Sequence, residues 1–132
     1  MNTYAKYGTA CVMAHGLVGF VHGLAHKRMG IDLTFLQNLF ILSVITLAPL
    51  LAAILLWTRL RKVGTVLLLL SMLGSLIFGV VNHFMITSPD HVLHLPASEG
   101  RLTFQITAVL LVITECFGCW IGASALRAEE RL

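Results

Sequence analysis

The stretch VGTVLLLLSMLGSLIFGVVNHFMI, Val63 to Ile86, contains no Lys, Arg, Asp or Glu from end to end. A helix rises about 1.5 Å per residue, so a run of this length spans the roughly 30 Å hydrocarbon core of a bilayer. Arg59, Arg61 and Lys62 precede it and Ser88-Pro89 follows it, which marks where the apolar segment meets water. Within the run, Ser71, Ser75, Gly79 and Asn82 recur at helical spacing on one stripe, with His83 at its edge. A membrane helix that hides such a stripe hides it against protein, because small and polar residues let neighbouring helices approach.

Three further apolar runs flank this one, roughly Thr9 to His26, Thr34 to Trp57 and Thr103 to Leu126. Charged residues make up only 11% of the 132 positions and hydrophobic ones 58%, with a mean hydropathy of +0.89. Soluble domains carry about 25% charge, so this composition belongs to a membrane protein. The chain reads as one all-α domain over residues 1–132, an integral membrane up-down four-helix bundle with helices at about 9–26, 34–57, 63–86 and 103–126. The connections are too short for a soluble domain, a nucleotide-binding fold or a nucleic-acid reader, and they make successive helices antiparallel. Membrane lipids are the expected surroundings, with other membrane subunits or further copies of the chain as the expected protein partners.

Lys6, Arg59, Arg61, Lys62, Arg127 and Arg131 fall on one side of the bundle, against Lys27, Arg28 and Arg101 on the other. The positive-inside rule then puts both termini in the cytoplasm. A bacterial inner membrane is the expected location. The net charge of +3 is mainly this orientation signal. In the second helix Pro49 removes a backbone hydrogen bond and predicts a kink. Cys11, Cys116 and Cys119 all lie inside helices, so no disulfide framework is implied. Cys116 and Cys119 spell CxxC, but within an apolar helix they read as small core residues.

The chemistry gathers in the histidines. On the first helix Gly8, Cys11, His15, Gly19, His22 and His26 form one stripe, opposed by Met13, Leu17, Phe20 and Leu24. On the fourth, Ala108, Glu115, Cys119 and Gly122 share a face. In the third connection, SPDHVLHLP from Ser88 to Pro96 offers an N-cap serine, a proline suited to the first helical position and a closing proline. A short interfacial helix over Asp90 to Leu95 is the expectation, with His91 and His94 on one face.

That connection lies on the outer side, where His22 and His26 end the first helix and His83 approaches the end of the third. His22, His26, His83, His91 and His94, five of the six histidines, therefore converge with Asp90, and Met29 and Met85 lie close by. Imidazoles suit zinc, copper and iron, and thioethers favour Cu(I). A histidine pair on facing helices is also the ligand set of haem b. The expectation is a small membrane protein that binds copper, zinc, iron or haem on its outer face for metal handling or electron transfer, with Asp90 ligating or orienting an imidazole. Ser88, Asp90 and His91 are too close along the backbone to converge as a catalytic triad, and whether the chain is an enzyme stays open.

Two other readings stand beside it. Glu115 lies near the middle of the fourth helix and His15 at a matching depth in the first, about 10 to 17 Å from the cytoplasmic ends by helical rise. Intramembrane ionisable groups normally face the interior and pair, so His15 and Glu115 are expected together, as packing glue or as a proton relay. Alternatively the chain is an accessory subunit of a larger membrane complex whose glycine and alanine seams serve helix contacts.

Overall fold

The computed structural model describes residues 3–129, and among them all regular secondary structure is helical, without a strand. Four helices are long and apolar enough to cross a membrane: α1 (Thr3–Met29), α2 (Phe35–Leu55), α3 (Arg61–Met85) and α4 (Arg101–Glu129). The first extends further toward the N-terminus than its apolar run, because Tyr4, Lys6 and Tyr7 continue the helix past the hydrophobic segment. Gly30 ends it with φ 65°, a left-handed conformation that glycine adopts without a Cβ clash. There the Ile31 amide donates to His26 O. Thr34 then caps α2, its hydroxyl accepting from the Gln37 amide while Gln37 Oε1 accepts from the Thr34 amide.

The helices run antiparallel in sequence order, and α4 packs against both α1 and α3. Its contact with α3 is close. A Cβ on Gly122 would lie 2.9 Å from Leu69 Cβ and 3.1 Å from Leu69 Cα. Ala5, Val12, Leu56, Leu68, Met72 and Ile121 make a core near the termini. A second core of Ala25, Leu95, Phe104 and Ala108 lies near the opposite end. The exposed surface is correspondingly apolar, with Met13, Leu17, Phe20 and Leu24 of α1 all turned outward.

Two helices are not uniformly α. Residues Ile41–Leu47 of α2 and Val81–Met85 of α3 are π-helical. Pro49 follows the first closely and cannot donate to the carbonyl one turn back, which leaves that ladder free to widen. The distortion expected at Pro49 therefore takes the form of a π segment ahead of it. Contact between α1 and α2 is made along Ala48–Leu55, so toward Phe35 the two part and leave a cavity.

The short helix expected over Asp90 to Leu95 is replaced by successive turns. The His91 amide donates to Ser88 O and the His94 amide to His91 O, each spanning three residues, and no longer helical ladder forms. Bonds to the helices tie the segment down. The Val92 amide donates to His83 O at 2.9 Å, and Gln105 Nε2 donates to Val92 O at 2.8 Å. These bonds draw the backbone across the end of α3 and turn Asp90 inward.

Candidate metal centre

His22 and His26 are one helical turn apart on the inner face of α1, and His83 faces them from the π segment of α3. One ring nitrogen from each of the three lies within 4.8 Å of the others. Phe104 of α4 is fully buried beneath them, its ring centroid 4.3 Å from His22, 4.8 Å from His26 and 5.2 Å from His83. The aromatic floor keeps water away from one side of the cluster.

Asp90 reaches in from the turn above. Its Oδ1 is 3.1 Å from His26 Nε2 and its Oδ2 is 3.2 Å from His83 Nδ1. His83 Nδ1 also lies 3.1 Å from the Asp90 main-chain oxygen. With acceptors alone facing it, Nδ1 of His83 carries the proton, which leaves Nε2 as a lone pair.

His22 is oriented by a residue that sequence reasoning missed. Its Nδ1 is 2.8 Å from Thr107 Oγ1. The Thr107 hydroxyl has a single hydrogen, and it is donated within α4 to Thr103 O at 2.6 Å or Phe104 O at 3.1 Å. Thr107 is therefore the acceptor, His22 Nδ1 is the donor, and His22 Nε2 is unprotonated. That nitrogen is buried without a hydrogen-bond partner. The same is true of His26 Nδ1 and of Asp90 Oδ1, which is near His26 Nε2 but off the line of its N–H. The centre thus holds three buried polar atoms, His22 Nε2, His26 Nδ1 and Asp90 Oδ1, without a hydrogen-bond partner.

The structure groups His22, His26 and His83 and divides the larger set of five histidines. His91 and His94 pair with each other, Nδ1 to Nδ1 at 3.0 Å, and His91 Nε2 donates to Phe84 O at 3.3 Å. Neither belongs to the three-histidine group. Met85 is exposed, and Met29 packs on the core around Ala25, so the donor set is nitrogen and oxygen. Thr107 had one available signal, a hydroxyl two turns from Glu115 along α4 in an otherwise apolar stretch.

Deeper in the bundle His15 Nε2 is 3.2 Å from Glu115 Oε1, and both side chains are buried. Glu115 Oε2 and the nearby helix's Ser75 Oγ have no hydrogen-bond partner. Cys11 donates to Thr114 O at 3.3 Å, Cys116 is exposed and Cys119 is half-buried; all three are free thiols. The cavity between α1 and α2, about 790 Å³, is lined by His15 and Glu115 at one end and by His22, His26, His83 and Asp90 at the other.

Comparison of the chain with models of protein families, with characterised proteins and with solved structures finds no match.

Proposed function

We propose that the chain is a membrane metalloprotein that holds one divalent transition metal through His22, His26 and His83, with Asp90 as a further ligand or as the orienting carboxylate. The observation that carries this reading is the grouping of one ring nitrogen each from His22, His26 and His83 within 4.8 Å, beside buried His22 Nε2, His26 Nδ1 and Asp90 Oδ1 that have no hydrogen-bond partner. An unsatisfied buried polar group costs about 1–3 kcal/mol, and a single cation answers several at once. Hydrogen bonds from the non-ligating nitrogens to Thr107 and Asp90 are the usual support of metal-bound imidazole, fixing the tautomer and the ring orientation.

The donor set favours zinc or iron(II) over Cu(I), since no thioether or thiolate takes part. It favours a bare ion over haem b. A porphyrin must pass between the two rings that clamp it, and His22 and His83 are already in edge-to-face contact with centroids 4.9 Å apart. All four residues line the cavity, so a coordination position faces it. An open position is the mark of a working metal site rather than a purely structural one. With both termini in the cytoplasm, as the Lys and Arg distribution directs, the metal lies in the outer half of the membrane.

The test is elemental analysis of the detergent-purified protein after chelator stripping and reloading with zinc or iron(II). One ion per chain, absent from His22→Ala and His83→Ala variants that remain monodisperse, is the expected result. No retained ion under either loading refutes the proposal. Recovery of the chain only together with other subunits, without metal, favours the accessory-subunit reading instead.

A further inference from the structure

The cavity between α1 and α2 has features that the metal does not account for. One wall is the backbone of α1, where Gly16, Gly19 and Gly23 line it and a Cβ on any of them would meet nothing within 4 Å. The facing wall is the π-helical part of α2 with Ile45 and Pro49. Both walls are mainly apolar, with Asn38 and Thr46 on the α2 side and Lys27 and Asp32 toward the connection, and the gap lies where α1 and α2 part.

Its inner end is polar. Glu115 and Ser75, 2% and 0% exposed, both line the cavity, and Glu115 Oε2 and Ser75 Oγ are buried without partners. His15 engages the other carboxyl oxygen, so Glu115 is held with one oxygen left for a visitor. A buried, unpartnered carboxyl oxygen lining a mainly apolar chamber of about 790 Å³ is the pattern of a ligand pocket: mostly apolar walls with a few placed polar groups.

We propose that this chamber binds a lipid-soluble phenol, taken up from the bilayer through the gap between α1 and α2, with its hydroxyl donating to Glu115 Oε2 near Ser75 and its hydrocarbon part along the glycine wall. A phenolic hydroxyl supplies the missing donor, and a phenol carries no charge into the membrane. By helical rise, His15 and His22 are roughly 10 Å apart, so a bound ring at the Glu115 end leaves room for a carbon chain reaching toward the histidines. The assignment rests on Glu115, Ser75 and the cavity walls, and it stands whether or not His22, His26 and His83 hold a metal.

The experiment uses the full chain, chelator-stripped, in lipid nanodiscs with empty nanodiscs as the partition blank. The probes are radiolabelled para-decylphenol and its methyl ether, which keeps the skeleton and removes the donor. Saturable binding of one phenol per chain is expected, with the ether at least about tenfold weaker, the usual worth of a hydrogen bond to a buried charged or strongly polar acceptor. A Cβ on Gly19 meets nothing within 4 Å, so Gly19→Leu should place its side chain in the chamber, keep the fold and abolish binding of both probes. Glu115→Met should bring the phenol down to the level of the ether. Absence of saturable binding overturns the proposal. So does equal binding of phenol and ether, or unchanged binding in Gly19→Leu. Because the protein is metal-free throughout, failure here leaves the metal proposal untouched, and failure of metal loading leaves this result standing.

Discussion

Changing Thr107 to Val should weaken metal binding without unfolding the protein. Valine keeps the shape of threonine and removes the hydroxyl that lies 2.8 Å from His22 Nδ1. A buried N–H with no acceptor costs about 1–3 kcal/mol. The ring can escape that cost by moving its proton to Nε2 or by rotating, and either movement takes the Nε2 lone pair from the metal. The loss therefore appears in affinity. Removal of such a supporting group typically costs about 10- to 100-fold, which at about 1.4 kcal/mol per tenfold is close to the cost of the orphaned N–H. Competition for zinc against a fluorescent chelator, in detergent, measures it. Thr107→Ser keeps the hydroxyl and should restore most of the affinity. If Thr107→Val binds zinc as tightly as the wild type, with helical content and elution volume unchanged, the orienting role of Thr107 is wrong.

Other outcomes follow from the same geometry. Asp90→Asn removes the carboxylate shared by His26 and His83, so zinc affinity in the chelator assay should fall by at least the Thr107→Val factor. His94→Ala should leave zinc binding intact, because His94 pairs with His91 outside the three-histidine group; loss of binding there would show that the site is larger. Protons and metal compete for the same lone pairs, so affinity should decline as pH falls and recover when pH is raised, with protons released on loading measurable in weak buffer. Gly122→Ala forces a Cβ to within 2.9 Å of Leu69 Cβ, beside the α3 backbone, and should destabilise the protein by about 1–3 kcal/mol. Gly19→Ala meets nothing and should be neutral or stabilising by about 0.5–1 kcal/mol; equal thermal shifts for the two would contradict the α3–α4 packing.

The four helices were legible because uncharged runs such as Val63 to Ile86 admit few alternatives in this composition. The inner face of α1 was legible too. Helical spacing put His15, His22 and His26 on one stripe and Met13, Leu17, Phe20 and Leu24 opposite it, and the former are buried while the latter face outward. The pairing of His15 with Glu115 followed from matching depth along two apolar helices, since each buried ionisable group needed a partner.

What was not legible depends on departures from ideal helix. The π segment Val81–Met85 changes the phase of His83 relative to a regular 3.6-residue turn, and no residue type announces such a widening. SPDHVLHLP has the capping signals of a short helix. Tertiary bonds to His83 O, Phe84 O and Gln105 hold it in turns instead, bringing Asp90 inward while His91 and His94 bond to each other. Thr107 was marked in the sequence only by its hydroxyl, and its role emerged when His22 was seen against it. The space between α1 and α2 lies along Gly16, Gly19 and Gly23, of which only Gly19 was on the inner stripe read from sequence, whereas Gly8 and Gly122 make the close contacts such a stripe implies.

X-ray absorption at the zinc K-edge, on protein loaded with one equivalent and compared with the His83→Ala variant, tests the central claim most directly. The account predicts three imidazole nitrogens at about 2.0–2.1 Å in the wild type, with oxygen completing the shell, and loss of one imidazole or of the ion itself in the variant. Zinc with no imidazole scattering, or an imidazole count unchanged by His83→Ala, would contradict it.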